Sequence, residues 1–367
     1  MDQTVRRVMS GEARGVGATL LRGAMRLLES IYAAVMSSRN ASYRRGVLRM
    51  HRCARPVVSV GNITTGGTGK TPVVRWLAEH LRQRGLQPAI LMRGYRREPD
   101  AATSDEQQLL LDQLNPPGAT GAPIVVHADP DRVGGAEHVL RDNADVDVFI
   151  LDDGFQHRRL HRDFDLVLID ATNPFGFDHV LPRGLLREPL HGLSRASAVL
   201  ITRADQALPG TLEEIGRTVR RYATSIPIYQ STHAQTSVVT DGTSTPIDSL
   251  RGKRIFAFCG VGNPEAFLAQ LRAAGAELVA TRSFGDHHAY EERDVEDLVS
   301  QAMRSGAGAL VTTEKDWVKL ARLKASRTDS VPIWRVRLEL RFVADDEQKL
   351  FDDITRAIER SIATAPS

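Results

Sequence analysis

A glycine-rich string at residues 64–71 constrains the fold of this 367-residue chain more than any other segment. It reads Thr-Thr-Gly-Gly-Thr-Gly-Lys-Thr, and it lies between an apolar, β-branched run at residues 56–60 and a helical pattern at residues 71–84. A strand, a glycine-rich turn and a helix in that order are typical of a phosphate-binding P-loop. The sequence therefore predicts an α/β chain with a P-loop domain, in which a mostly parallel sheet is flanked by helices.

Every position of this string has a predicted role in binding ATP and Mg²⁺. Lys70 would reach the β- and γ-phosphates, and the Thr71 hydroxyl would bind Mg²⁺. Backbone N–H groups at the start of a helix would surround the phosphate oxygens. The residues predicted to bind the nucleotide are Thr64, Thr65, Gly66, Gly67, Thr68, Gly69, Lys70 and Thr71. The strict motif has glycine at position 64, and a glycine-rich loop with a chance lysine is the alternative interpretation.

A P-loop also needs a carboxylate at the end of a neighbouring strand, to orient the magnesium ion. The apolar run at residues 148–151 leads directly into Asp152 and Asp153, which are the predicted magnesium ligands. Asp170 follows a similar run at residues 166–169 and is a rival for this role. An aspartate at a strand end can also serve only as a turn or helix cap.

The remaining apolar runs predict a second, smaller α/β domain. Strands of the first domain are predicted at residues 89–92, 123–126, 148–151, 166–169 and 198–201, and strands of the second at residues 254–258, 278–280 and 309–312. Extended segments near residues 228–233 and 331–340 flank the second set. The predicted organisation is a P-loop domain at residues 1–228, a linker strand at 229–236, the smaller domain at 237–330, a return strand at 331–344 and a terminal helix at 345–367.

The N-terminal segment combines an amphipathic helix with a surplus of positive charge. Residues 1–55 contain eleven arginines against three acidic residues, although the net charge of the whole chain is only +3. One face of a helix at residues 16–36 would carry Leu20, Ala24, Leu27, Leu28, Ile31 and Val35. This pattern fits either a surface helix packed on the domain or a helix lying in a membrane interface. The apolar stretch lacks the uninterrupted length of a spanning helix and the cleavage site of a secretory signal.

Two cysteines, Cys53 and Cys259, are too few and too far apart for a disulfide scaffold or a zinc site, and they suit a reducing compartment. We expect neither a nucleic acid nor an obligatory protein as partner.

Five strings distributed over the chain together resemble the tetraacyldisaccharide 4'-kinase family. They are Gly61-Asn62-Ile63 with the glycine-rich block, Arg93-Gly94-Tyr95, residues 152–157 (Asp-Asp-Gly-Phe-Gln-His), residues 181–189 (Leu-Pro-Arg-Gly-Leu-Leu-Arg-Glu-Pro) and residues 313–316 (Thr-Glu-Lys-Asp). The resemblance implies transfer of the γ-phosphate of ATP to the 4'-hydroxyl of a tetraacyldisaccharide 1-phosphate, the lipid A precursor. It also implies a two-stranded linker between the domains. The implied location is peripheral, at the cytoplasmic face of the inner membrane of Gram-negative bacteria.

The resemblance also implies roles for individual residues. Asp105 would be the catalytic base, in a Ser-Asp-Glu-Gln string that corresponds to Gly-Asp-Glu-Pro in the family, and Glu106 would reach the magnesium ion. His287 would assist the base, with His288 as the neighbouring alternative. The implied contacts to the lipid headgroup are Arg132, Gln156, His157, Arg183 and Arg187. Arginine forks suit a phosphate group, although each arginine could instead form an ordinary ion pair.

Two other functions fit parts of the sequence. A P-loop ATPase that switches a partner protein would use a similar glycine-rich block, but such proteins usually carry a lysine at the position of Thr65. A soluble small-molecule kinase would share the P-loop and use the amphipathic helix only for packing.

Overall fold

A computed structural model describes residues 3–94, 103–116, 118, 121–240, 243–285, 288–326 and 330–364. The chain divides into two compact units. The first unit contains Met1–Gly94, Pro117–Thr232 and Phe342–Ser367, and the second contains Tyr95–Pro116 and His233–Arg341.

Helices and strands alternate along most of the chain. The first part contains α1 (Gln3–Ser10), α2 (Val16–Arg44), β1 (Val57–Asn62), α3 (Lys70–Gln83), β2 (Pro88–Met92), α4 (Asp105–Leu114), β3 (Val125–Ala128), α5 (Arg132–Asp142), β4 (Val148–Asp152), β5 (Phe164–Asp170), β6 (Ala198–Thr202) and α6 (Thr211–Tyr222). It is followed by β7 (Ile228–Thr240), β8 (Thr243–Pro246), β9 (Arg254–Cys259), α7 (Pro264–Ala273), β10 (Glu277–Ser283), α8 (Glu292–Ser305), β11 (Ala309–Thr313), α9 (Glu314–Leu320), β12 (Ile333–Phe342) and α10 (Asp346–Thr364).

The sheet of the first unit has the strand order β7-β6-β5-β1-β4-β2-β3, and its neighbouring strands run parallel. Every residue of β1, β2, β4 and β6 is buried, which explains why these strands appear in the sequence as continuous apolar runs. β1 pairs with β4 on one side and β5 on the other, so the loop after β1 begins in the middle of the sheet. The prediction of a mostly parallel α/β fold is confirmed.

The second unit has a smaller sheet in the order β10-β9-β11-β12, again with parallel pairs. Helices α7 and α8 pack on buried apolar side chains of β9, such as Ile255 and Phe256. The chain passes from one unit to the other along β7 and β12, and also before and after α4.

The structure groups residues 95–116 with the second unit, whereas the sequence analysis expected them inside a P-loop domain of residues 1–228. The physical reason is that α4 packs against α9. The Gln113 amide donates a hydrogen bond of 2.7 Å to the Glu314 carboxylate near the start of α9. α10, at the other end of the chain, belongs to the first unit, where the Trp76 indole donates a 2.8 Å hydrogen bond to Glu347.

Helix α2 turns its apolar face outward. Leu20 is 70% exposed and Leu27 is 68% exposed. The opposite face holds the helix to the first unit, because the Glu29 carboxylate accepts a 2.9 Å hydrogen bond from Val180 N and lies 3.0 Å from His179 Nδ1. The apolar face of α2 is therefore not the face that packs on its own unit. Among the described residues, no helix combines the length and the apolar composition that crossing a bilayer requires.

Candidate active site

The glycine-rich loop leaves β1 at Asn62 and enters α3 at Lys70. Gly66 has φ 121° and Gly69 has φ 83°, values that a residue with a Cβ adopts only with strain. Gly69 is the N-cap of α3 and provides no side-chain cap, so the first N–H groups of the helix are left for another acceptor. A loop of this shape fits the phosphates of a nucleotide.

Two backbone contacts hold this loop to residues 181–189, one of the strings singled out in the sequence. Thr65 N donates to Leu185 O at 2.7 Å, and Arg187 N donates to Ile63 O at 2.7 Å. The carboxylate of Glu188 is fully buried and is bonded through both oxygens to the guanidinium of Arg195. The string is thus part of the wall of the phosphate-binding loop.

Lys70, Asp153 and Arg187 form a charged network beside the loop. Lys70 Nζ lies 3.4 Å from Asp153 Oδ1 and 3.4 Å from Asn62 Oδ1. Arg187 Nη1 donates to both oxygens of Asp153, at 2.9 and 2.8 Å. The structure therefore brings three of the predicted site residues together.

The charge state of Asp153 follows from this network. Burial alone would raise the pKa of its carboxyl group, but the positive charges of Lys70 and Arg187 outweigh burial and lower that pKa. Asp153 also adopts φ 55°, in the left-handed region that aspartate tolerates better than most residues. Asp153 is consequently an ionised group that orients two cations.

A close backbone approach fixes the distance between the loop and this carboxylate. A Cβ at Gly61 would lie 2.6 Å from the backbone nitrogen of Phe155, which is closer than real Cβ contacts come. Only glycine at this position allows β1 and the segment after β4 to lie so close together.

Thr71 and Asp152 offer the oxygen atoms that a magnesium ion prefers. Asp152 ends β4 and is 8% exposed, and its register partner in β1 is Val60. Thr71 is half-buried in the first turn of α3. Hydroxyl and carboxylate oxygens suit Mg²⁺, which usually completes its shell with water and substrate phosphate. The donor set therefore fits the ion, with Asp153 differing from Asp152 in being bonded to Arg187 through both oxygens.

The other predicted headgroup residues of the first unit have different surroundings. Arg183 Nη1 donates to Met9 O at 2.7 Å and so holds the end of α1. Gln156 donates to Asn62 O at 2.9 Å and to Glu188 at 3.1 Å.

Arg132 is 2% exposed, and burial lowers the pKa of its guanidinium to about 10, although the nearby Asp152 opposes the shift. Burial, followed by the positive charges of Arg132 and Arg162, lowers the pKa of His157 to about 4. At neutral pH His157 is therefore an uncharged imidazole next to cationic groups.

The inner face of α2 contacts the same loop system. The Tyr32 hydroxyl donates to Arg187 O at 3.1 Å, and the Asn40 amide donates to Glu188 at 2.8 Å. Arg39 donates to Gln156 O at 3.0 Å. Helix α2 is thus bonded directly to residues that border the glycine-rich loop.

Asp105, in the second unit, is the first residue of α4. Its N-cap, Ser104, accepts a hydrogen bond from Gln107 N at 3.3 Å, and this contact fixes the start of the helix. Arg322 Nη1 lies 3.4 Å from Asp105 Oδ1, and both side chains are 38% exposed. Glu106 is exposed.

His287 lies outside the described residues. Its neighbour His288 has Nε2 3.0 Å from Asp294 Oδ2 and stacks on Phe284, with 4.6 Å between ring centroids. His288 is therefore tied to the start of α8.

The Thr-Glu-Lys-Asp string at residues 313–316 forms the start of α9. The Asp316 carboxylate accepts from Thr313 Oγ1 at 2.7 Å and from Gly260 N at 3.0 Å. Glu314 Oε1 accepts from Arg337 Nε at 3.1 Å. The string connects α9 to the loop after β9 and to β12.

Sequence reasoning missed Asn62 and Arg203 as neighbours of the phosphate loop. Asn62 is the last residue of β1, and Arg203 directly follows β6, so their positions at strand ends were the available signal. Asp170, the rival magnesium ligand, forms an ion pair with Arg203 and accepts a 2.8 Å hydrogen bond from the Thr172 hydroxyl.

Comparison with known proteins gives consistent matches over nearly the whole chain. The family model described as tetraacyldisaccharide-1-P 4'-kinase matches residues 21–359. A tetraacyldisaccharide 4'-kinase of Anaeromyxobacter sp. (strain K) is 38% identical over 369 residues, covering 95% of this chain and 92% of the relative. The enzyme of the same name from Geobacter sulfurreducens is 37% identical over 347 residues, covering 92% and 94%.

A solved structure is also similar over most of its length. The crystal structure of the "apo" form of LpxK from Aquifex aeolicus in complex with ATP superimposes with a TM-score of 0.70 at 28% identity, covering 92% of this chain and 99% of that one.

Proposed function

The chain belongs to the tetraacyldisaccharide-1-P 4'-kinase family, and we infer that it transfers the γ-phosphate of ATP to the 4'-hydroxyl of a tetraacyldisaccharide 1-phosphate, the lipid A precursor. The observation that carries this inference is the family match over residues 21–359, in a chain whose glycine-rich loop has the backbone of a phosphate site. The alternative of a partner-switching ATPase is not favoured.

The first unit supplies the groups that bind and neutralise the phosphates. Phosphoryl transfer passes through a loose transition state, so the protein mainly positions the reactants and offsets negative charge. We propose that Lys70 approaches the β- and γ-phosphates while Asn62 and Asp153 keep its ammonium group oriented. A magnesium ion held by Thr71 and Asp152, with Asp153 as a further proposed ligand, would neutralise charge between the phosphates.

Asp105 is the proposed general base for the 4'-hydroxyl. A carboxylate that accepts the hydroxyl proton during bond formation contributes a factor of about 10²–10⁴. Its carboxylate lies in the first turn of α4, where Arg322 is its ion-pair partner at 3.4 Å. His287 is the proposed partner of this base.

Five residues are proposed to contact the phosphorylated headgroup: Arg132, Gln156, His157, Arg183 and Arg187. Arg183 and Arg187 already donate to protein acceptors, so part of their proposed role is to hold the loop that faces the headgroup. The uncharged His157 would offer a neutral hydrogen-bonding group among cations.

The function is tested by incubating the purified protein with Mg-ATP and tetraacyldisaccharide 1-phosphate in detergent micelles. We expect a product that carries one more phosphate, at the 4'-position. A water-soluble glucosamine disaccharide without acyl chains serves as the comparison acceptor. Phosphorylation of both acceptors at equal rates would support a soluble small-molecule kinase, and ATP hydrolysis without any phosphorylated acceptor would support the switch ATPase.

We also propose that α2 binds the cytoplasmic face of the inner membrane peripherally. Its outward side carries exposed Leu20, Leu27, Ile31 and Val35, and an arginine-rich segment follows it. Buried apolar area and basic residues near anionic headgroups both favour such binding, by roughly 1 kcal/mol for each basic residue.

The membrane proposal is tested with vesicles of mixed zwitterionic and anionic phospholipids. Replacing Leu20, Leu27 and Ile31 together by glutamine removes apolar contact without touching the bonded inner face of α2. Leu208→Gln, at a residue 75% exposed elsewhere in the same unit, is the matched control. We expect the triple variant to stay in the supernatant and the control to float with the vesicles; flotation of both would reject the proposal.

A further inference from the structure

The end of β6 is bonded to the phosphate-binding loop through side chains. Thr202, its last residue, is fully buried, and its Oγ1 donates to Thr68 O at 2.9 Å. The next residue, Arg203, donates from Nη2 to Gly67 O at 2.9 Å. Its other terminal nitrogen forms the ion pair with Asp170 at the end of β5.

These bonds fix two successive peptide groups of the loop. In a planar trans peptide the C=O and N–H bonds point in opposite directions. A Thr68 carbonyl held toward Thr202 therefore directs the Gly69 N–H to the other side of the loop. The Gly67 carbonyl held by Arg203 does the same for the N–H of Thr68, which donates to Gly66 O at 3.1 Å in this structure.

The backbone of Arg203 has an unusual conformation. Its φ is 54°, in the left-handed region that a long side chain rarely adopts, and such conformations persist where the surroundings fix them. Asp170 and Gly67 together fix the direction of the guanidinium group.

We propose that Thr202 and Arg203, with Asp170 as the anchor of Arg203, are positioning residues that hold the glycine-rich loop in the shape that aims the Gly69 N–H group at the β- and γ-phosphates of ATP. The proposal rests on the proposed function in so far as ATP binds at this loop. It assigns Asp170 a role in shaping the loop, in place of the magnesium-binding role for which its position at a strand end made it a rival.

The test compares variants that remove one bond each. Thr202→Val keeps the shape of the side chain and removes its hydrogen bond, and Thr202→Ser keeps the hydroxyl as the matched control. Arg203→Lys keeps the positive charge but loses the planar fork that reaches two acceptors. Dissociation constants are measured for ATP and for AMP, which lacks the two phosphates concerned, together with the melting temperature and steady-state kinetics.

We expect Thr202→Val and Arg203→Lys each to weaken ATP binding by about threefold to tenfold, the usual range for one hydrogen bond. AMP binding should change by less than about twofold, and Thr202→Ser should match the wild type. The KM for ATP should rise more than kcat falls.

Equal losses for ATP and AMP would overturn the proposal, because they would indicate a general structural role. Unchanged ATP binding in both variants would overturn it as well. A wild-type protein that fails to bind ATP would instead refute the proposed function, so the two failures can be distinguished.

Discussion

The two regions proposed to act on the reaction, the phosphate site around Lys70 and the base at Asp105, are held very differently. The Lys70 and Asp153 side chains are 17% and 19% exposed and share a network with Arg187 and Asn62. Asp105 and Arg322 are each 38% exposed and form an ion pair at 3.4 Å. An exposed pair of this kind contributes little to stability, whereas a network partly removed from water is screened much less.

The difference indicates which of the two regions is pre-organised for the reaction. Groups that stabilise developing charge act best when they are fixed before the reaction begins, because no reorganisation is then needed. The phosphate site meets this condition within the first unit alone. Asp105, the proposed base, has one helix start and one half-exposed partner to orient it, and its side chain is correspondingly less constrained.

The largest effect that tests this comparison is expected for Lys70→Met. Removing a cation that faces the transferred phosphoryl group should lower kcat/KM by about 10³–10⁵-fold, as for other cations that stabilise this transition state. Initial rates of acceptor phosphorylation measure the loss. Lys349→Met, at an exposed lysine paired with Asp345, is the control and should keep full activity. An active Lys70→Met protein would remove the P-loop from the mechanism.

Asp105→Asn should have the next largest effect, a fall in kcat of about 10²–10⁴-fold with ATP binding unchanged, because the amide cannot accept the proton. Asp112→Asn, at an exposed position of the same helix, is the matched control. Single-turnover kinetics and ATP titration separate the two parameters. Wild-type turnover in Asp105→Asn would exclude this carboxylate as the base.

Removing one cation from each region should sharpen the contrast in stability. Arg187→Gln leaves Asp153 with a weaker partner in a mostly buried place, and it should lower the unfolding free energy by about 1–3 kcal/mol. Arg322→Gln breaks an exposed pair and should cost less than about 1 kcal/mol. Urea unfolding of both variants measures the two losses. Equal losses would contradict the distinction between a buried and an exposed network.

A pH dependence of the unfolding free energy is expected from His157. Its pKa of about 4 in the folded chain lies below the ordinary value of 6.5, so the unfolded chain binds the proton more readily between these values. This contribution to stability is complete above about pH 6.5 and decreases as the pH falls toward about 4. His157→Gln should flatten the unfolding free energy across that window.

A separate acid effect is expected from Asp153. Its pKa is lowered from the ordinary 3.8, so its contribution is lost only as the pH falls through that lowered value. For the His157 prediction, the contradicting outcome is a His157→Gln variant whose unfolding free energy depends on pH between 4 and 6.5 as steeply as that of the wild type. Another group would then titrate in that window.

The parts of the site formed by continuous sequence could be predicted. The order of strand, loop and helix around Lys70 depends on local residues, and Asp153 follows its strand directly, so both were identified. Their meeting follows from the rule that parallel strands deliver their carboxyl ends to one edge of the sheet.

The grouping of residues 95–116 with the second unit could not be predicted from the sequence. It depends on a contact between α4 and α9, which are some two hundred positions apart, as in the hydrogen bond from Gln113 to Glu314.

For α2, periodicity indicates two faces but not which face covers the domain. The structure shows that Glu29, Tyr32 and Asn40 do so. The partner of Arg183 is a backbone carbonyl of α1, and a carbonyl leaves no signal in the sequence.

The contact of Gly61 with Phe155 also limits how fast the region around the phosphate site can change shape. A separation set by two touching backbones cannot vary through side-chain rotation, so the spacing between β1 and the segment after β4 changes only when the backbone itself moves, on timescales of nanoseconds or longer. The half-exposed Asp105 can change rotamer within picoseconds to nanoseconds. The region around the phosphate site therefore stays nearly rigid over times in which the Asp105 side chain samples many orientations.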